Sequence, residues 1–312
     1  MKRNQSQRGA AILVAMLVVT LVATLATGLQ WRQWRLQQTE ASVRAQSQAS
    51  WVLVGALDWA RLILREDARS AGNSGLMDHL GEPWALPLQE TKLSSFLSAE
   101  ALTDTGQDEA YLSGSIVDAQ SKINLTNLAL NQTGESQLSK PAFEVLARLY
   151  EQLGLPPAEL KAWVSAWMAS QQVNKDVLLR PMRLEQLIWL GLPSGSLEAL
   201  RPHITILPQR TPVNLNTASA IVIYAAVPGI DLAAAQKLVQ TRSSSPLKNV
   251  SDAQSALGSS SASSLVGGTD FSVFSQYFEV RGRVRLGDWA VQESSLVHRD
   301  GLNVRTIWRR KI

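Results

Sequence analysis

RGAAILVAMLVVTLVATLATGL, residues 8–29, is the stretch on which the reading of the whole chain turns. No charged residue occurs from Ala10 to Leu29. Twenty residues at about 1.5 Å each make about 30 Å of helix, one hydrocarbon thickness. Lys2, Arg3 and Arg8 stand before it with no acid among the first nine residues. Basic flanks stay on the cytoplasmic side, so the bulk of the chain is expected across the membrane. Three outcomes fit such a run. A signal peptide would be cut behind it, where Ala23, Ala26 and Gly28 supply small residues. A plain anchor needs no cut. The third outcome is removal of the basic head between Gly9 and Ala10, with the apolar run retained.

The residues that follow extend the helix. Gln30 to Arg69 contains no proline and a single glycine, Gly55. Leu53, Leu57, Ala60 and Leu64 recur at helical spacing beside Val52, Ala56, Trp59 and Ile63, while Asp58, Arg61 and Arg65 make a polar stripe. Glu40 and Arg44 are spaced for an i,i+4 ion pair. A signal anchor followed by an unrelated core helix would give the same pattern. With its basic leader ending in Gly9, however, the segment resembles the start of type IV prepilins and pseudopilins. That resemblance implies cleavage between Gly9 and Ala10 by prepilin peptidase, N-methylation of Ala10, and one long retained helix. Pilins usually carry Glu at the fifth mature residue, which is Val14 here. A carboxylate in a membrane is costly unless paired. In pilins the Glu resembles a registration device that meets the amino terminus of the subunit already added above. Val14 therefore favours a first or tip subunit, although any anchor helix contains valine.

Beyond Arg69 the chain turns to loop through SAGNSG and MDHLGEPWALP. Tyr111 to Leu125 reads as a hairpin, with Ile116 and Val117 on one arm and Ile123 to Leu125 on the other. Phe143 to Ala169 reads as helix broken at GLPPAEL, with Trp163 and Trp167 sharing a core-facing side. Leu179 to Leu192 is expected to be an amphipathic helix closed by Gly191 and Pro193. Gly258 to Asp270 is flexible by composition. The tail is β-rich: Tyr277 to Arg285 alternates bulky and charged residues, Leu286-Gly287-Asp288 turns, and Arg299-Asp300-Gly301 joins Trp289–His298 to Leu302–Arg310. Three antiparallel strands packed on the first helix give an α+β core.

Thr211 to Leu257 resembles the helix-hairpin-helix unit of competence DNA receptors through VNLNTAS (Val213 to Ser219), VPGI (Val227 to Ile230), Ala235, Arg242 and PLKNVSDA (Pro246 to Ala253). DNA-binding versions offer a Gly-Ile-Gly hairpin to a phosphate. This chain has Gly229-Ile230-Asp231, and an Asp there caps the helix and repels phosphate. Lys237, Arg242 and Lys248 are dispersed, so no nucleic-acid partner is expected. KINLTNLAL, Lys122 to Leu130, echoes VNLNTAS and is likewise followed by helices.

The chain has 312 residues, 45% hydrophobic, and no cysteine, which removes disulfides and thiolate metal sites. Net charge is +4, and loss of the first nine residues leaves +1, so the pI near 9.5 says little about nucleic acid. His79, His203 and His298 lie far apart without ligand spacing, and no phosphate loop or nucleophile elbow is present. No enzymatic activity and no cofactor is expected.

Taken in order, the chain resembles the general secretion pathway protein K family, minor pseudopilins of type II secretion. The carriers are the leader with AAILVAMLVV, HLGEPWALP (His79 to Pro87), DAQSKINLTNL (Asp118 to Leu128), LEQL (Leu184 to Leu187), VNLNTAS and the β-rich tail. The resemblance implies an α+β fold: a pilin-like long N-terminal helix packed on an antiparallel sheet, with a large inserted all-helical domain. The expected divisions are leader 1–9, transmembrane helix 10–29, its periplasmic continuation 30–70, pilin-like body 71–125 and 267–312, and insert 126–266 with the hairpin-like unit at 211–257. Function follows from the same likeness: a subunit at the tip of the pseudopilus, with minor pseudopilins I and J, prepilin peptidase, the inner membrane and its assembly platform as partners. The globular part would be periplasmic. An Asp-rich loop usual in the family is replaced by Ala166 to Leu187, where Asp176 is the only acid before Glu185, so no metal ligands are assigned. The alternatives are a membrane-anchored helix-hairpin-helix DNA-binding protein and a minor type IV pilin. The latter would normally keep Glu at position 14 and often a disulfide.

Overall fold

The computed structural model describes residues 7–71, 77–93, 110–132, 135–172, 179–257, 270–287 and 289–312. Lys2 and Arg3, Asp176, Asp288 and residues 258–269 of the Gly258–Asp270 stretch lie outside them.

One helix, α1, runs unbroken from Gln7 to Ala71. Its apolar first part is exposed from Ile12 to Leu29. Thr20, Thr24 and Thr27 donate to the carbonyls of Leu17, Leu21 and Ala23, so these hydroxyls are satisfied inside the run. Burial starts at Ala49 and continues through Leu53, Leu57, Ala60 and Leu64, the stripe expected from spacing. The Glu40–Arg44 pair forms at 3.0 Å on the solvent side.

Strands β1 (Leu88–Lys92) and β2 (Ala110–Asp118) follow, then the two-residue β3 (Ile123–Asn124) and a small hairpin of β4 (Ala129–Gln132) and β5 (Glu135–Leu138). Next come α2 (Lys140–Gln152) and α3 (Pro157–Ser170), separated at the expected break, where Gly154 has φ 67° and Leu155 N–H donates to Tyr150 O. Then come α4 (Ser194–Leu200), β6 (Ile204–Thr205), β7 (Val213–Asn214), α5 (Ala220–Ala226), α6 (Leu232–Ser244) and α7 (Val250–Leu257). β8 (Phe271–Ser272), β9 (Tyr277–Leu286), β10 (Trp289–Asp300) and β11 (Asn303–Lys311) complete the chain.

Among the described residues the main sheet has the order β1-β2-β9-β10-β11, antiparallel throughout. The three C-terminal strands are those read from alternation, and Gly301 at φ 55° turns β10 into β11. Leu112, Phe278, Val280, Val284, Val291 and Val297 face α1. Gly114 pairs with Gly282 beneath the helix, and a Cβ on Gly282 would lie 2.8 Å from Leu53 Cδ2. The missing side chain lets the rod seat closely on the sheet.

Two readings need correction. Tyr111 to Leu125 is not a hairpin: β2 pairs with β1 and β9, and Ile123–Asn124 pairs in parallel with Ile204–Thr205. Three polar residues, Asp118, Gln120 and Asn124, turn the chain out of the sheet instead. Leu179 to Leu192 is not an α-helix: only Leu184–Leu190 coils, as a 3₁₀ helix, after an extended approach whose Met182 and Arg183 amides donate to Gln186 Oε1. The large lobe is mainly but not wholly helical, since β3–β6, β4–β5 and β7–β8 are short ladders within it.

That lobe leaves the sheet after Asp118 and returns at Tyr277, and Asp118 pairs with Phe278. It therefore grows from the end of one strand pair and needs no separate closure. Its core gathers Ile123, Leu125, Leu128, Trp163, Trp167, Leu187, Leu215, Ile223 and Val273. The echo between KINLTNLAL and VNLNTAS is structural. Asn124 Oδ1 accepts from Thr126 N–H at 3.1 Å, and Asn214 Oδ1 accepts from Asn216 N–H at 2.9 Å. Each unit is then closed by a parallel two-residue ladder, Ile123–Asn124 on Ile204–Thr205 and Val213–Asn214 on Phe271–Ser272.

Candidate functional site: the free helix and the polar junction

The residues expected to be processed sit at the start of α1. Gly9 and Ala10 lie within its first turns, and Val14 is 61% exposed among Ile12, Leu13, Met16 and Leu17. α1 is the one described helix long and apolar enough to cross a membrane. Trp31 and Trp34 follow the apolar run at 56% and 51% exposure, as amphipathic rings do at a bilayer interface.

At the other end of α1 a buried polar web locks rod, sheet and lobe together. Arg299 of β10 donates to Asp67 Oδ2 at 2.7 Å, to Asp78 Oδ1 at 2.6 Å and to Ser275 O at 2.9 Å. Asp78 is fully buried, and its Oδ2 accepts from Ser275 N–H at 2.6 Å. Ser275 Oγ donates to Asp118 Oδ2 at 2.7 Å, Asn214 Nδ2 lies 3.0 Å from the same oxygen, and the Thr217 hydroxyl donates to it as well. Gln120 Oε1 accepts from Gln276 N–H at 2.7 Å, and Gln120 Nε2 donates to Pro212 O at 3.1 Å. Every described donor here has a partner, the condition under which a buried polar network rigidifies rather than destabilises.

Burial dominates the electrostatics. It raises Asp118 to about 6 against the Thr217, Ser275 and Gln120 bonds. It also raises Glu82 to about 7, opposed by the His79 amide and the Trp84 indole. Asp67 is raised too, burial outweighing Arg299. Asp67, Asp78 and Glu82 can bring one oxygen each within 4.8 Å of one another. Arg299 already donates to two of them, and Glu82 Oε2 accepts from Trp84 Nε1 at 2.6 Å. Arg299 therefore shares its single positive charge between two of the three carboxylates, and Glu82 is held by the Trp84 indole and the His79 amide.

The motif segments converge on this junction. HLGEPWALP places Trp84 in the rod–sheet core, edge-on to Phe278 at 5.2 Å. DAQSKINLTNL supplies Asp118, Gln120 and Asn124, and VNLNTAS supplies Asn214, Asn216 and Thr217. Nothing in the sequence marks Asp67, Asp78 and Ser275 as buried, and Arg299 is marked there only as part of the Arg299-Asp300-Gly301 turn. Asp78 directly precedes HLGEPWALP, which is the one local hint.

The helix-hairpin-helix unit is turned inward. Asp231 caps α6 by accepting from Ala234 N–H at 2.7 Å, as expected. Arg242 is buried and donates to the carbonyls of Leu215 and Ala218, with its pKa lowered to about 10 by burial. Of the three cations, Lys237 and Lys248 alone stay exposed. Trp163 and Trp167 are core residues, and Trp163 Nε1 donates to Tyr150 OH at 2.7 Å.

A long helix seated on an antiparallel sheet, with a lobe emerging from one strand pair, is a pilin-like arrangement, and the length and composition of its apolar run fit a membrane anchor. Comparison with known proteins narrows the class. The family described as "Type II secretion system (T2SS), protein K" matches residues 213–273. Type II secretion system protein K of Pseudomonas aeruginosa is 28% identical, covering 91% of this chain and 86% of its own length. That of Klebsiella pneumoniae is 25% identical over 98% of this chain and 97% of its own. In fold the chain is similar to a chain in the crystal structure of the GspK-GspI-GspJ complex from enterotoxigenic Escherichia coli, with TM-score 0.67, 19% identity, and 86% and 98% of the two chains covered. Over nearly its whole length the chain is thus similar to type II secretion system protein K, a minor pseudopilin of that system.

Proposed function

We propose that the chain is the tip subunit of a short periplasmic pseudopilus, initiating or capping its assembly for the export of folded proteins across the outer membrane. The observation that carries the reading is the division of α1: a bare apolar rod at one end, and a lobe clamped to the other end through Asp67 and Arg299. Such a rod bundles with sibling rods, while so broad a lobe obstructs a subunit stacked above it.

In this reading prepilin peptidase cuts between Gly9 and Ala10, and Ala10 is N-methylated. The cut removes the cytoplasmic cations, which would repel at the centre of a helix bundle. Ala10 then offers its amine to a Glu of the subunit below, and Val14 needs no partner above. Minor pseudopilins I and J are the proposed neighbours, by analogy with the complex that contains GspI and GspJ. The leader is 1–9, the inner-membrane span 10–29 and the stalk 30–70. The periplasmic body is 71–125 with 267–312, and the insert is 126–266. The assembly platform is the expected inner-membrane contact. The test is the intact mass of the chain co-expressed with prepilin peptidase. A mature N-terminus at Ala10 is expected, and a retained Met1 or a cut near Ala26 overturns the reading.

A further inference from the structure

The sheet face turned away from α1 is rich in arginine. Along β9 the side chains of Glu279, Arg281, Arg283 and Arg285 point to this face, because Phe278, Val280 and Val284 point to the rod. Trp308 lies opposite Leu296 and Arg310 opposite Ser294, which puts both on the same face. Where the lobe overhangs the sheet, a cleft of about 180 Å³ is lined by Lys122, Arg183, Arg201, Arg281 and Arg310.

The acids of the cleft are already engaged. Glu185 pairs with Arg201 at 2.7 Å and Glu279 with Arg281 at 3.0 Å, while Asp118 turns into the junction. Among the described residues Lys122, Arg183 and Arg310 have no carboxylate at ion-pair distance. Lys122 Nζ reaches only the Arg201 carbonyl, at 3.2 Å, and Arg310 the Met182 carbonyl, at 3.3 Å. Burial, with Arg281 and Arg201 nearby, pushes the Lys122 ammonium pKa down despite Glu279, and burial with Arg183 does the same to Arg310 despite Glu185 and Glu279. Three cations gathered with no carboxylate at ion-pair distance suit an anionic ligand.

We propose that this face binds an acidic peptide segment of a partner protein, one carboxylate entering the cleft between Lys122, Arg183 and Arg310. Planar guanidinium forks match carboxylates in two-point contact. Arg281, Arg283 and Arg285 continue from the cleft at alternate positions of one strand, at a repeat of about 7 Å, the repeat of alternate acids on an extended peptide. Arg281 pairs with Glu279 and Arg285 with Glu90 at 2.8 Å, so a peptide acid at either position would share the guanidinium. Met182, Leu184 and Trp308 at the cleft give apolar contact for the rest of such a chain. The site uses no part of the free helix and does not depend on the tip assignment.

The test is fluorescence anisotropy of a labelled Glu-Ala-Glu-Ala-Glu peptide with the full chain in zwitterionic nanodiscs at low salt, with inorganic phosphate as a separate titrant. Saturable binding that weakens with salt is expected, and Arg183→Gln with Arg310→Gln should weaken it about tenfold or more. Arg44→Gln on the rod should leave it unchanged. An unaltered melting temperature shows that the double variant is folded. No peptide binding, binding indifferent to the double variant, or binding of phosphate without the peptide overturns the proposal.

Discussion

Removing the guanidinium of Arg299 tests whether the junction holds rod and lobe together. Arg299→Met keeps much of the aliphatic length but strips the donors to Asp67, Asp78 and Ser275. Asp78 is 0% exposed, so its carboxylate would be left without the charge that compensates it. Breaking a buried pair from one side costs about 3–5 kcal/mol, chiefly for the orphaned charge. In a domain of this size that corresponds to a melting temperature lower by roughly 6–20 °C. Urea unfolding followed by near-ultraviolet dichroism of the buried tryptophans measures it, since Trp84 packs beside the junction and Trp163 and Trp167 report the lobe. The companion variant is Asp78→Asn. If the loss comes from the orphaned carboxylate, Arg299→Met with Asp78→Asn should be more stable than Arg299→Met alone. A loss under about 1 kcal/mol, or single-variant losses that simply add, would refute the reasoning.

Other expectations concern the same core. Asp118 has its pKa raised to about 6, so the folded state holds more protons than the unfolded state between about pH 4 and 6. Its contribution is therefore largest below that window and is lost as pH rises through 6. The stability of the wild type relative to Asp118→Asn should fall between pH 4 and 7, as melting curves at each pH will show, and a rising difference contradicts the assignment. Gly114→Ala should cost more than Gly282→Ala. The first Cβ would lie 2.8 Å from the Arg281 carbonyl, whereas the second meets only the Leu53 side-chain tip, and overpacking of this kind costs about 1–3 kcal/mol by denaturant titration. Trp163→Phe removes the bond to Tyr150 OH and should lower stability by about 1–3 kcal/mol, measured the same way.

What was legible in the sequence was what repeats at fixed spacing. The stripe from Leu53 to Leu64, the alternation of β9 and the Asp-Gly turn at Gly301 all announce local geometry. So does the break before Pro157, because each rests on neighbours a few residues apart. The two misread stretches fail for a shared reason. Ile116 to Leu125 looks like two β arms, yet its partners are Val280 and Ile204, far along the chain. Leu184 to Leu190 has helical periodicity, but Gln186 accepts two backbone amides ahead of it and holds the approach extended. The junction was illegible because its members, Asp67, Asp78, Asp118, Asn214, Ser275 and Arg299, come from six separate segments. A lone Asp or Ser in a turn carries no mark of burial.

The duplicated closing device explains how so large a lobe can be added without unmaking the sheet. In each unit an Asn side chain folds the start of the loop onto itself, and a two-residue parallel ladder returns the far end beside it. Asn124 Oδ1 also accepts from Leu207 N–H at 3.1 Å, while Asn216 joins Leu247 through both its amide groups. Each unit thus brings its ends together before the next begins, and the strand pair β2–β9 sees only a short connection between Asp118 and Phe278. The entropic cost of a longer loop rises only slowly with length, so most of the lobe's stability comes from its own core of Trp163, Trp167, Leu187 and Leu215. The junction then has one mechanical task, to fix the direction in which the lobe leaves the rod. If that is its role, Asp118→Asn with Thr217→Val should leave the lobe core folded by tryptophan dichroism. Hydrogen exchange at Gln276 and Tyr277 should nevertheless rise, because the Gln120 carbonyl that holds both amides is positioned by the same turn. Unchanged exchange there would mean that the sheet alone sets the angle.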